Sequence, residues 1–331
     1  MPAVSVIVPI FRCAAYVGRA LESVFAQTWQ DLEVLVIDGS PEEHEAALAP
    51  YRARIRYAKQ RAVGVSAARN LGMRQACGDV IAFLDGDDTW LPEKLAQQIE
   101  LLRRHPDVGL VFTDGHQIDH TGRIIRATLL PERHPSFIAW CTQAATTNPK
   151  VQIGSLYEVL LSGNCIPTSS VVVRRTCLQE LGGFNEAYPV AEDYDLWLRV
   201  ARKYSVALLR EVTTQYRVRD DGLSGSAEMR LARWREADAK VLAAYLDEAP
   251  EPLRRLIRAR ISHCSRLASW HYLRQGQGRR ARPLLLTSLA HRWRQPKILL
   301  YLAASFFMPS RRQRDGVRSS DARTQGPSVA I

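Results

Sequence analysis

Residues 4–10 form a near-continuous, β-branched apolar run. Apolar positions at Val17, Leu21, Val24 and Phe25 follow, and then a second apolar run at residues 34–37. A run of the first kind is what a strand covered on both faces requires. The i, i+4, i+7, i+8 spacing across residues 14–27 marks one face of an amphipathic helix. Strand, helix and strand joined by short links make a βαβ unit, and this commits the N-terminal part of the chain to an α/β sheet.

The pattern repeats downstream. Residues 55–58 read as a weaker strand, 66–76 as a helix, 80–84 as a strong strand, 92–103 as a helix opening on Pro92, and 108–113 as a further strand. In open α/β sheets ligands bind beyond the carboxyl ends of the strands. Those ends carry Pro9-Ile10-Phe11, Asp38-Gly39-Ser40 and Asp85-Gly86-Asp87-Asp88. Residues 114–165 lose the pattern and read as a variable insertion with one helix near 156–161. Order returns with a strand at 170–173, a turn at Gly182-Gly183-Phe184, a helix over 191–203 and a strand at 206–209. After the loop 216–224 the remainder reads as helical, and the tail from 310 to 331 as disordered. The organisation expected is therefore an α/β domain over residues 1–225, a basic α-helical extension over 226–309, and the tail.

Charge sorts along the same boundary. The 331 residues carry a net +11, yet residues 1–220 hold 24 Lys/Arg against 25 Asp/Glu. Residues 252–331 hold 17 basic side chains and only two acidic ones, Asp315 and Asp321. A near-neutral domain with a basic extension argues against a nucleic-acid-binding protein, because no RNA- or DNA-binding motif accompanies the charge. Arginines interleaved with apolar residues over 253–308 suit either an anionic membrane surface or a bundle packed on the first domain. The six cysteines show no CxxC pair or nearby His grouping, so reduced thiols are expected. The N-terminus lacks a basic n-region, and the longest apolar run, residues 298–308, is short of the roughly 20 residues needed to cross a bilayer.

Three carboxylates directly after a buried strand repel one another. Asp85, Asp87 and Asp88 therefore call for an offsetting partner, and Mg2+ or Mn2+ shared with substrate phosphates would be one. The alternative is a solvated turn in which one aspartate caps the following helix.

The segments VSVIVPIF (4–11), LEVLVIDGS (32–40), GVSAARNLG (64–72), GDVIAFLDGDDTWLP (78–92), GGFNE (182–186) and AEDYDLWLR (191–199) stand in one order. Together they resemble the family 2 glycosyltransferases, inverting enzymes with the GT-A fold. The resemblance covers residues 3 to about 225. It implies an open mixed sheet flanked by helices, a nucleotide diphosphate sugar as donor, and an acceptor hydroxyl on a glycan or lipid-linked molecule. Asp85 and Asp87 match the family's metal-binding DxD motif, with Asp87 as direct ligand and Asp85 nearer the ribose. Pro9, Ile10 and Phe11 match the loop that holds the base, Asp38 a carboxylate accepting a base N–H, and Arg69 an arginine near the nucleotide. Glu192 and Asp193 match the catalytic acidic pair, with Asp193 as the base, although acids at a helix start also serve as caps.

The chain departs from the family's usual pattern in having Phe11-Arg12 for Tyr-Asn, a single Asp38 before Gly-Ser, and Arg219 where histidine is common. An arginine there cannot bind metal but can pair with a diphosphate. The reading is a metal-dependent hexosyltransferase, using a UDP-sugar by family frequency, in surface polysaccharide or glycolipid assembly. It is expected in the cytoplasm, with peripheral attachment to the inner face of the membrane. The alternatives are a nucleotidyltransferase, which would need a Gly-rich phosphate loop absent from residues 9–12, and a non-catalytic sugar-nucleotide-binding protein.

Overall fold

A computed structural model describes residues 3–42, 44–61, 64–130, 134–143, 148–219 and 227–307. The expected disordered tail, 310–331, lies outside these, as does most of the loop 216–224.

The N-terminal half alternates as read: β1 Val4–Ile10, α1 Ala14–Phe25, β2 Leu32–Asp38, α2 Glu45–Leu48, β3 Arg56–Lys59, α3 Val65–Gln75, β4 Val80–Phe83, β5 Thr89–Trp90, α4 Lys94–Arg104 and β6 Val108–Ile118. Every residue of β1 is buried, as its composition requires. The expected helix from Pro92 begins two residues later, because Leu91 to Lys94 closes a turn and the Pro92 carbonyl accepts the Thr28 N–H at 2.9 Å.

The second half adds β7 Ile124–Arg126, α5 Pro135–Thr142, β8 Val151–Gly154, α6 Tyr157–Ser162, β9 Val172–Arg174, α7 Arg175–Leu181, α8 Glu192–Lys203 and β10 Ser205–Arg217. Helices α9 Ala227–Ala244, α10 Glu251–Arg274, α11 Gly278–His291 and α12 Pro296–Phe307 complete it. Segment 114–165 thus supplies the end of β6, a strand on each of β6 and β10, and two helices whose Phe137, Trp140, Leu160 and Leu161 are core residues.

The strands form one mixed sheet in the order β3-β2-β1-β4-β9-β6-β10-β5. Strands β1 to β4 are mutually parallel, β9 runs antiparallel between β4 and β6, and β10 is parallel to β6. Both β2 and β4 flank β1, so the winding reverses beside β1, where a crevice opens at the carboxyl ends. The register Ile10↔Asp38 and Ile7↔Phe83 brings Phe11, Asp38 and Asp85 to that one edge.

Strand β10 is far longer than the four residues expected. Bulges beyond Leu209 keep it paired to β6 through Arg217 despite Arg210 and Glu211, so it reaches the same edge. Its pairing with β5 (Gln215↔Thr89) fastens the aspartate loop to it.

Two cores cover the sheet's faces. The basic helical region does not stand apart from them. Val241, Leu242 and Tyr245 of the α9 end region and Ile257, Ile261 and Cys264 of α10 belong to the same core as Trp197 and Leu160. Only the outer helices have a small core of their own, built on Tyr272, Ala281, Leu285 and Ile298. None of the six cysteines is paired. No helix among the described residues is long and apolar enough to cross a membrane.

Candidate active site

The aspartate loop is pressed onto the end of β1. A Cβ on Gly86 would lie 2.7 Å from Ile10 Cγ2 and 2.9 Å from Cys13 Sγ, so only glycine fits between Asp85 and Asp87. The Gly86 N–H donates to the Pro9 carbonyl at 3.3 Å, and the Gly39 N–H to the Ile10 carbonyl at 3.0 Å. Pro9 and Ile10 are themselves buried; Phe11 is the member of that trio with an accessible ring.

Asp88 turns inward. Its Oδ2 accepts from Ser169 Oγ at 2.5 Å and its Oδ1 from the Arg217 N–H at 2.8 Å. Burial, reinforced by the charges of Asp87 and Asp85, raises its pKa well above the ordinary value. Asp85 and Asp87 face outward, each engaged by one arginine. Arg69 Nη2 lies 2.7 Å from Asp85 Oδ1, and Arg219 Nη1 lies 3.2 Å from Asp87 Oδ2. Arg219 is held by the Arg12 carbonyl at 2.8 Å and stacks over Tyr16, as does Arg217. Burial and the Asp85 charge push Asp87 up despite Arg219.

Arg69 is buried on α3, and its second nitrogen, Nη1, lies 2.6 Å from Glu192 Oε1. It also packs over the Phe184 ring. Phe184 is placed by Asn70, whose Oδ1 accepts the Phe184 N–H and whose Nδ2 donates to the Phe184 carbonyl, both at 2.9 Å. The motifs at 64–72, 78–92, 182–186 and 191–199 therefore converge on one guanidinium. Two negative carboxylates raise the Arg69 pKa against its burial.

Glu192 and Asp193 open α8 after Ala191, a non-glycine residue held at φ 65°. This costs of order 1–3 kcal/mol and fixes where the pair points. Glu192 is buried against Arg69; burial pushes its carboxyl up to about 7, with Arg69 opposing and Asp193 adding to the rise. Asp193 is the more accessible of the two. Its Oδ2 accepts from Thr168 Oγ1 at 2.8 Å and its Oδ1 from the Tyr194 N–H at 2.7 Å. Burial raises its pKa as well, against Arg69 and Thr168.

Asp38, at the end of β2, is held by donors of the chain itself. Its side chain has no exposed surface, and it accepts from the Ser40 N–H at 2.8 Å, Tyr57 Oη at 3.0 Å and Lys59 Nζ at 3.1 Å. Burial raises its pKa, but these hydrogen bonds outweigh it and hold the carboxyl below its ordinary value.

Sequence reading missed Arg217, Thr168, Ser169 and Tyr16. Ser169 takes the Asp85 N–H at 3.2 Å as well as bonding Asp88, and sits in a 3-10 turn, Thr168–Ser170, that has no periodicity to reveal it. Arg217 lay beyond the strand that the apolar pattern marked.

A metal fits the donor set in one specific way. No group of three or more His, Cys, Asp or Glu is placed to hold an ion among the described residues. Asp85 and Asp87 each keep one oxygen outside their arginine pairs. Two carboxylates completed by water and substrate phosphates is the arrangement that Mg2+ commonly accepts.

A mixed sheet with its crevice at the β1/β4 edge and an acidic loop on it defines a GT-A glycosyltransferase fold. Residues 5–157, just under half of the chain, match the family model described as Glycosyl transferase family 2. An uncharacterized glycosyltransferase of Rickettsia felis is 28% identical over 205 residues, 61% of this chain and 32% of the relative. One from Rickettsia typhi is 27% identical over 227 residues, 68% of this chain and 67% of the relative. The chain thus spans about a third of the first relative's length and about two thirds of the second's. Among solved structures, S. aureus TarS superposes with a TM-score of 0.58 at 16% identity, covering 92% of this chain and 53% of TarS. A shorter TarS segment in complex with UDP-GlcNAc gives 0.54 at 15%, covering 88% and 92%. The mannosyltransferase PcManGT from Pyrobaculum calidifontis, in complex with GDP-Man and Mn2+, gives 0.56 at 19%, covering 93% and 81%.

Proposed function

We propose that the chain transfers a sugar from a nucleoside diphosphate sugar to an acceptor hydroxyl with inversion at the anomeric carbon. The observation that carries this reading is the Arg69 bridge, which couples the donor-side carboxylate Asp85 to the acidic pair at the head of α8. Support also comes from the family match and from two fold neighbours that hold UDP-GlcNAc and GDP-Man.

The chemistry follows from the placement. When bound, Mg2+ or Mn2+ would be held by Asp87 with Asp85 and would supply positive charge to the departing diphosphate. Arg219, beside Asp87, pairs with a phosphate oxygen of the donor, and Phe11 offers a ring face to the base. Asp193 takes the proton of the acceptor hydroxyl as its oxygen bonds to the anomeric carbon and the nucleoside diphosphate leaves. A single displacement with one base inverts the centre. The raised pKa of Asp193 makes it a stronger base, and Thr168 holds its orientation. Glu192, tied to Arg69, orients the pair without touching the acceptor. We further assign a UDP-sugar as donor and a glycan or lipid-linked acceptor in surface polysaccharide or glycolipid assembly at the cytoplasmic side of a membrane.

The test is a panel of nucleotide sugars with Mn2+ or Mg2+, read by nucleotide release. Asp87→Asn and Asp193→Asn should each lower transfer by about 10²-fold or more. Transfer at the wild-type rate in both variants contradicts the assignment.

A further inference from the structure

Helix α12 carries an outer face that nothing in the chain's described part covers. Ile298 and Ser305 are buried against α11, with Tyr301 and Leu302 packed on the same small core. The opposite side presents Leu299, Leu300, Ala303, Ala304 and Phe306 to the outside. No polar side chain interrupts these five positions, and Leu300 is 70% exposed. A water-facing helix side normally carries charged or polar residues.

The surroundings of this face select its partner. Residues 278–307 hold six Lys/Arg and no Asp/Glu. Arg292, Arg294 and Lys297 stand at the entry to α12. The start of α11 meets the other end: Gly278 is so close to Ser305 that a Cβ there would lie 2.4 Å from its carbonyl oxygen, and Arg282 Nη2 donates to that oxygen at 3.0 Å. Arginine therefore brackets the apolar face at both ends. Arg282 lies over Phe306 at 4.2 Å, and Arg294 over the 74% exposed Trp293 at 4.7 Å. Aromatic rings and long cationic side chains at the edge of an apolar stripe are what an interfacial helix uses, the rings at headgroup level and the guanidiniums on lipid phosphates. At twelve residues α12 is about 18 Å long, too short to span but suited to lying in the plane.

We propose that the outer face of α12, with the arginines around it, docks the protein on an anionic phospholipid surface. The inference does not depend on the donor chemistry and places the active-site domain on a membrane where a lipid-linked acceptor would be found.

Cosedimentation of the full chain with vesicles tests it. Vesicles of phosphatidylcholine with phosphatidylglycerol should retain the protein, and vesicles of phosphatidylcholine alone should not, with retention weakening as salt rises. The double substitution Leu299→Ser with Leu300→Ser should lower the bound fraction about tenfold or more, since two apolar side chains leave the interface. Arg292→Gln with Arg294→Gln should lower it and reduce the salt dependence. Both variants should keep the circular dichroism spectrum and the thermal shift given by a nucleotide sugar, which separates this test from that of the donor reading. Absence of binding to the anionic vesicles, or binding indifferent to the leucine substitutions, overturns the proposal. So does a lipid-free dimer that Leu300→Ser dissociates, since the face would then belong to a second copy.

Discussion

Arg69 Nη1 lies 2.6 Å from Glu192 Oε1, across 123 residues of sequence and inside the protein. The same guanidinium holds Asp85 at 2.7 Å, so one buried cation sets the spacing between the metal-type loop and the base. Removing one member of a buried ion pair leaves the others uncompensated. Arg69→Met should destabilise the fold by about 3–5 kcal/mol. Arg69→Lys, which keeps the charge but has one nitrogen in place of the two that reach Asp85 and Glu192 separately, should retain more stability and still lose most turnover. Chemical denaturation and nucleotide-release assays on both variants check this; a fully active Arg69→Lys would show that bridging is immaterial.

Glu192 gives a pH signature. Its carboxyl is raised to about 7 in the folded protein, chiefly by burial, against about 4.3 unfolded. The folded state then holds a proton that the unfolded state has released, so stability falls as pH rises between those two values, by up to about 1.4 kcal/mol per pH unit. It is full below the unfolded value and lost above the folded one. Glu192→Gln should flatten that slope in thermal unfolding measured from pH 4 to 8. An unchanged slope would assign the pH dependence elsewhere.

Arg219 replaces a histidine common in the family and is held beside Asp87. If it contacts the donor diphosphate, Arg219→Ala should raise the donor KM by about ten- to hundredfold, the range for a charged hydrogen bond. The acceptor KM should hold. Steady-state kinetics in both substrates distinguish this from general misfolding, and an unchanged donor KM removes Arg219 from the diphosphate site.

Gly86 is constrained by contact and not by conformation, since its Cβ would strike Ile10 and Cys13. Gly86→Ala should displace the loop and destabilise the protein by about 1–3 kcal/mol. Donor binding should weaken with it. Calorimetric melting with and without nucleotide sugar measures both effects, and wild-type behaviour in both would mean the loop yields freely.

The parts of this architecture legible in the sequence are those that local pattern dictates. The apolar periods of β1, α1 and β2 and the polar residues at their ends located the crevice. The bridge between Arg69 and Glu192 was not legible, because no local pattern links residues 123 apart. The reach of β10 was hidden by Arg210 and Glu211, which bulges accommodate. Arg217, which donates to the Asp87 carbonyl at 2.9 Å and to Asp88, was hidden with it. For the helices after residue 226 the sequence left a membrane surface and packing on the first domain both open, because arginines dominate their composition. Their apolar residues divide, however: Ile257, Ile261 and Cys264 complete the main core, while Leu299 and Leu300 remain outside.

The assignment of Asp193 as the base is the centre of the account, and Asp193→Asn tests it most directly. The amide keeps the shape at the head of α8 and one acceptor oxygen but loses the carboxylate's charge, so it cannot take the proton. Turnover should fall by about 10²- to 10⁴-fold, while thermal shift by the nucleotide sugar and the donor Kd stay at wild-type values. An Asp193→Asn protein that turns over at the wild-type rate would contradict the account.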